Sequence, residues 1–233
     1  MTPAAAPAAA YARVLDGDHL WLAVPAPTGE TLTVRGGPAG EVAVETTHRD
    51  GLAVATLDVA GLLAAVDADR VVLTFALGSE TVTWDGGPMA GPTKVPPTRD
   101  GRWQLRAFAM DGELRVARTR AEAGCLVEGV AHEGGVVTLT LSAAGGSLVA
   151  LDGSTEVGRV EVRDGRAVLD ASLVVPDGTV ARFVVTTADA QVPVVRRERD
   201  LKRANFAVVL PTTAGGRLQW QPDGQLALAG GAG

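Results

Sequence analysis

The chain has 233 residues and carries 21 basic against 27 acidic side chains, a formal net charge of −6. That balance argues against general nucleic-acid binding, which needs a basic face to neutralise phosphates. The lone cysteine, Cys125, excludes an intramolecular disulfide and a cysteine-built metal site, and no run of about 18 apolar residues offers a membrane-crossing helix.

Met1-Thr2-Pro3 and the alanines that follow lack a basic start and a leucine-rich core. Residues 1–10 therefore read as a disordered tail rather than an export signal, and the cytoplasm is the expected compartment. Period-2 alternation then predicts strands over 19–24, 31–35, 41–46, 52–58, 70–77, 79–84, 102–108 and 112–117. Within this stretch, residues 59–66 have the composition for one or two helical turns, with Gly61 keeping them short. Residues 86–97, rich in glycine and proline, read as a loop. After a linker at 119–124, further strands are predicted over 136–142, 147–151, 158–163, 166–174, 180–186, 191–196, 204–210, 216–220 and 224–229. Residues 230–233 read as a second tail.

Asp50-Gly51, Asp111-Gly112, Asp164-Gly165 and Asp223-Gly224 each separate two alternating runs. Both residue types accept the positive φ of tight turns, so all four are predicted hairpin tips. The signals also recur. Val42, Val44, Asp50-Gly51 and Val54 are echoed by Val160, Val162, Asp164-Gly165 and Val168; Gly101-Arg102-Trp103-Gln104 is echoed by Gly216-Arg217-Leu218-Gln219. Turn signals every 8 to 12 residues, roughly, together with this echo predict an all-β chain: two tandem antiparallel immunoglobulin-like β-sandwich domains, 11–118 and 125–229, related by an internal repeat.

Catalytic patterns are sparse. His19 and His132 precede or open early strands in each half, where a polar residue at a strand entry is the simplest reading, and His48 stands beside a hairpin. Asp16 with Asp18, or Asp67 with Asp69, supply too few oxygens for calcium. No metal and no cofactor is expected. Cys125 reads as a small buried filler, with no neighbour to activate its thiol. Trp21, Trp103 and Trp220 fall among alternating apolar residues and should pack inside. Trp84 ends a strand before Asp85-Gly86-Gly87 and is the candidate exposed platform on which a sugar ring would stack. The basic run from Arg196 to Arg203, with Arg196, Arg197, Arg199, Lys202 and Arg203, is the candidate grip for an anionic polymer; a solvated turn with local acid–base pairing is the simpler alternative.

The run Leu57-Asp58-Val59-Ala60-Gly61-Leu62-Leu63, then Val71-Val72-Leu73-Thr74-Phe75 and Gly101-Arg102-Trp103-Gln104-Leu105, resembles the tandem immunoglobulin-like modules of bacterial wall-polymer transferases, the teichoic-acid type glycosyltransferases and glycerophosphotransferases. The resemblance implies an accessory role in assembly or in holding polymer near a separate catalytic domain, and no catalytic residues. Three readings follow. The first is a non-catalytic interaction module that binds a glycan or anionic wall polymer, or serves a carbohydrate-active enzyme of the cell wall. The second is a structural protein that self-associates through its sheet edges. The third is an enzyme, a hydrolase or transferase, with its site in a cleft between the two halves.

Overall fold

The computed structural model describes residues 6–27, 29–38, 40–86, 94–198 and 209–231. They form two compact units: the first comprises the described residues up to 86 and residues 95–122, the second Lys94 and the described residues from 123 onward. None of the described helices is long and apolar enough to cross a membrane.

The first unit contains β1 (Tyr11–Val14), β2 (His19–Pro25), β3 (Leu32–Gly37), β4 (Gly40–Val44), β5 (Thr47–Arg49), β6 (Leu52–Asp58), α1 (Val59–Leu62), β7 (Arg70–Leu77), β8 (Glu80–Thr81), β9 (Trp103–Met110) and β10 (Glu113–Arg120). One sheet runs β1-β2-β6-β5; the other runs β4-β3-β7-β10-β9, with β8 beside β7. Alternation decides which side faces in. In β2, Leu20, Leu22 and Val24 are buried while His19, Trp21 and Ala23 are half-buried. These residues share one core with Leu73 and Phe75 of β7 and Leu114 and Val116 of β10. Apolar burial of this kind is worth roughly 25 cal/mol per Å² and holds the two sheets together.

The single helical turn α1 leaves β6 because Asp58 caps it. The Asp58 carboxylate accepts the Gly61 N–H at 2.7 Å, and the Asp18 carbonyl accepts the N–H groups of Val59 and Ala60, both at 3.1 Å. The first orphan donors of the turn are thereby satisfied.

The second unit contains β11 (Cys125–Glu133), β12 (Val136–Leu141), β13 (Gly145–Asp152), β14 (Thr155–Arg163), β15 (Arg166–Leu169), β16 (Val180–Thr186), β17 (Gln191–Arg196), β18 (Thr212–Thr213), β19 (Gly216–Trp220) and β20 (Leu226–Ala229). Here the expectation of two tandem immunoglobulin-like sandwiches related by a repeat is corrected. The strands run β13-β14-β15-β12-β11-β17-β16, and β16 pairs back onto β13, from Ser147↔Thr186 to Leu151↔Arg182. That is a closed seven-stranded barrel, with β20, β19 and β18 extending from β16.

Two features permit closure. Cys125, Leu126 and Val127 of β11 pair in parallel with Val194, Val195 and Arg196 of β17, joining the ends of two antiparallel sets. Gly146, at φ 115°, lets β13 come so near β16 that an added Cβ would sit 2.6 Å from the Thr186 carbonyl oxygen. Only glycine tolerates that approach at that φ. Period-2 alternation is common to sandwiches and barrels, so the pattern alone does not separate them. Among the described residues, the first unit has two separate sheets and no such ring, and the echo between the halves does not extend to a shared architecture.

Candidate functional site

A cleft of about 620 Å³ opens in the first unit. Four local structures build it: the turn before β2, which gives Asp18 and His19; α1 and the loop after it, which give Asp58, Gly61 and residues 64–67; the turn before β9, which gives Thr98 to Trp103; and Arg118 of β10.

The first turn is held by Asp16. Its carboxylate accepts the N–H groups of Asp18 and His19 at 3.0 and 2.9 Å, and the second oxygen accepts the His19 Nδ1–H at 2.7 Å. Burial works against its charge, but the His19 and Asp18 donors prevail and hold the Asp16 carboxyl below its ordinary range. Gly17, at φ 92°, lies against the Pro97 and Pro96 carbonyls, where no side chain fits. The turns before β2 and β9 are thus locked together, and Asp18 Oδ1 adds a hydrogen bond from the Arg99 N–H at 2.9 Å.

The turn before β9 is organised by Thr98, which is buried. Its hydroxyl donates to Asp100 Oδ1 at 2.6 Å and accepts the Trp103 N–H at 3.2 Å. Asp100 Oδ1 also accepts the Arg102 N–H at 3.0 Å. The Thr98 and Arg102 donors hold the Asp100 carboxyl below its usual range.

Arg118 is 2% exposed. Its guanidinium donates to the carbonyls of Leu63, Val66 and Ala68 at 2.7, 2.6 and 3.1 Å, and lies 4.0 Å from the centre of the Trp103 ring. Burial pulls its pKa down, partly opposed by the Asp67 charge. Arg118 therefore fixes the loop that follows α1, using three main-chain acceptors instead of a direct carboxylate contact. Asp67 on that loop meets Arg102 at 3.2 Å, and both side chains are exposed.

The resulting cleft is mixed in charge. Asp18, Asp58, Asp67 and Asp100 stand against Arg99, Arg102 and Arg118, with His19 beside them. A simple anion meets the carboxylates there and a simple cation meets the guanidiniums. A hydroxyl-rich ligand satisfies both, because each hydroxyl donates to one group and accepts from another. Among the described residues, no group of three or more His, Cys, Asp or Glu side chains is arranged to hold a metal ion.

The residues that the sequence offers for glycan binding lie elsewhere, whereas Asp18, His19, Asp67 and Trp103, weighed there for other roles, line the cleft. Trp84 is 4% exposed, with the Arg13 guanidinium 5.6 Å from its ring centre, so no open face remains for stacking. Arg196 is buried in the second unit, its N–H bonded to the Gly224 carbonyl. Arg197 is half-buried and meets Glu128 at 3.5 Å. Arg199, Lys202 and Arg203 lie outside the described residues. Trp103 is buried, as expected, whereas Trp21 and Trp220 are only half-buried. The cleft residues carried a weak sequence signal. Asp16-Gly17-Asp18-His19 and Thr98-Arg99-Asp100-Gly101-Arg102 are both polar turns bearing one Gly, and only the fold shows them abutting.

No protein-family model and no curated protein matches the chain. Among solved structures, it is similar to a fragment of S. aureus TarS, with 10% identity over 80% of this chain and 61% of that one, at a TM-score of 0.38. It is also similar to a longer S. aureus TarS structure, with 9% identity over 80% of this chain and 38% of that one, at a TM-score of 0.39. The chain thus spans less than two thirds of either structure.

Proposed function

We propose that this protein is a non-catalytic interaction module that binds a glycan in the cleft of its first unit and acts as an accessory to a carbohydrate-active enzyme of the wall-polymer glycosyltransferase type. The observation that carries the binding half is the cleft itself: about 620 Å³, walled by carboxylates and guanidiniums in near balance. Its volume lies within the range of small-molecule sites, and its paired donors and acceptors suit sugar hydroxyls better than a simple ion. The accessory half is supported by the resemblance of residues 57–63, 71–75 and 101–105 to the modules of wall-polymer transferases.

The test is a titration of the isotope-labelled chain with soluble neutral oligosaccharides and, in parallel, with polyol-phosphate oligomers, followed by amide chemical shifts. The expected result is a saturable shift confined to residues 16–19, 58–67 and 98–103, with the neutral series binding at least as well as the phosphate series. Shifts confined to the second unit, or no shift at millimolar concentrations, would overturn the reading.

A further inference from the structure

Resting on that glycan reading, we propose that Arg102 and Asp67 are the specificity-determining pair of the cleft and that together they read a vicinal diol. The other charged groups of the cleft, Arg99 apart, are committed to main-chain or turn contacts. Asp18 accepts from the Arg99 N–H, Asp58 from the Gly61 N–H, and Asp100 from the Thr98 hydroxyl and the Arg102 N–H. Arg118 is spent on three carbonyls. Arg99 is 90% exposed and stands 3.9 Å from Asp18, too loose to orient a ligand.

Arg102 and Asp67 differ. They share a single hydrogen bond of 3.2 Å, with side chains 56% and 83% exposed. Such an exposed pair is weak, so a ligand can open it at little cost. Among the described residues, four of the five guanidinium N–H donors have no hydrogen-bond partner, in a fork that matches two adjacent oxygens, while the Asp67 carboxylate accepts the hydroxyl hydrogens.

Both side chains are held on fixed supports. Arg102 follows a turn fastened by buried Thr98, and its guanidinium carbon lies 5.6 Å from the Trp103 ring centre. Asp67 sits between Val66 and Ala68, whose carbonyls Arg118 grips. Preorganised anchors beneath an exposed donor–acceptor pair lower the ordering cost of binding.

The test uses the full chain and calorimetric titration with two probes: a methyl pyranoside bearing a vicinal diol and its analogue lacking one of those two hydroxyls. The parent glycoside should bind about tenfold or more tightly than the deoxy analogue, the loss expected when a charged hydrogen-bonding group is left unpaired. Asp67→Asn and Arg102→Gln should each remove most of that discrimination. Arg102→Lys should lose nearly as much, because an ammonium has no fork. Thermal melts equal to that of the parent protein confirm that these exposed changes leave the fold intact. Binding with equal affinity for both probes, or discrimination that survives Asp67→Asn, overturns the diol assignment while leaving the glycan reading standing. No binding of either probe, nor of the oligosaccharide series, overturns both.

Discussion

Arg118 and Trp103 stack with the guanidinium carbon 4.0 Å from the ring centre, and the same guanidinium holds three carbonyls of the loop after α1. Arg120 lies 4.4 Å from the same ring centre and reaches Asp69 at 2.9 Å. The wall of the cleft is therefore fastened from β10 by two arginines that share one indole.

Replacing Arg118 with Met keeps much of the side-chain volume and removes every donor. Three carbonyls then lose a charged partner, and loss of bonds of this kind costs roughly 2–4 kcal/mol. Urea unfolding should show that loss for Arg118→Met and at most about 1 kcal/mol for Arg120→Met, whose partner Asp69 is exposed. Equal losses would mean that the buried carbonyl contacts carry little.

Closure of the barrel gives a second prediction. Gly146→Ala places a Cβ against the Thr186 carbonyl at a φ of 115°, and should cost about 2–4 kcal/mol or prevent folding of the second unit. Gly153, at φ 57° with open space around it, is the control. There alanine meets only the left-handed backbone penalty, about 1–2 kcal/mol. Thermal unfolding of the two variants compares them directly.

How much of this was legible beforehand depends on the range of the interaction. Local chemistry was readable. Asp50, Asp111 and Asp164 all have positive φ, as do the glycines that follow them, and each pair joins two antiparallel strands, as Asp-Gly tips should. Asp223-Gly224 is a variant: only Gly224 has positive φ, and the Gly224 N–H bonds back to Gln221. A short helical turn within residues 59–66 was also readable from composition, and its cap, Asp58, emerges only in the structure.

Long-range pairing was not. No strand is predicted over β11: its two sides do not alternate in burial, and its register shifts between Val127 and Gly129. The β17 residues it pairs with lie 69 positions further along the chain, Cys125 with Val194 for one, so no local pattern announces the pairing that completes the barrel. The cleft was hidden for a similar reason. Gly17 and Pro97 meet across eighty residues, and neither neighbourhood carries a recognisable signature.

Titration gives a third prediction. Asp16 is depressed below its ordinary carboxylate value of 3.8 by donors that the unfolded chain lacks. A depressed folded value means that the charge contributes stability above the unfolded pKa and loses it as pH falls through the folded one. Asp16→Asn retains an accepting oxygen but no charge. At pH 6 the variant should be less stable, by no more than about 1 kcal/mol given the solvent exposure. The gap should narrow steadily below pH 4 and vanish in strong acid. A gap independent of pH, read from urea unfolding across that range, would show that the charge is not what matters.

Cys125 supplies the last. It is 2% exposed at the start of β11, and burial, the largest influence on it, pushes its thiol above the ordinary range. The thiolate is the reactive form, so both access and ionisation are suppressed. Its reaction with a disulfide reagent at pH 8 should therefore be at least about a hundredfold slower in the folded protein than in urea, since attack requires an opening of the structure. Gly146→Ala strains the far side of the same ring. If the barrel closes as a unit, that substitution should raise the rate at Cys125 in proportion to the stability it removes. A rate at Cys125 unchanged by Gly146→Ala would mean that β11 opens independently of the β13–β16 seam, and the ring would then be two halves that unfold separately.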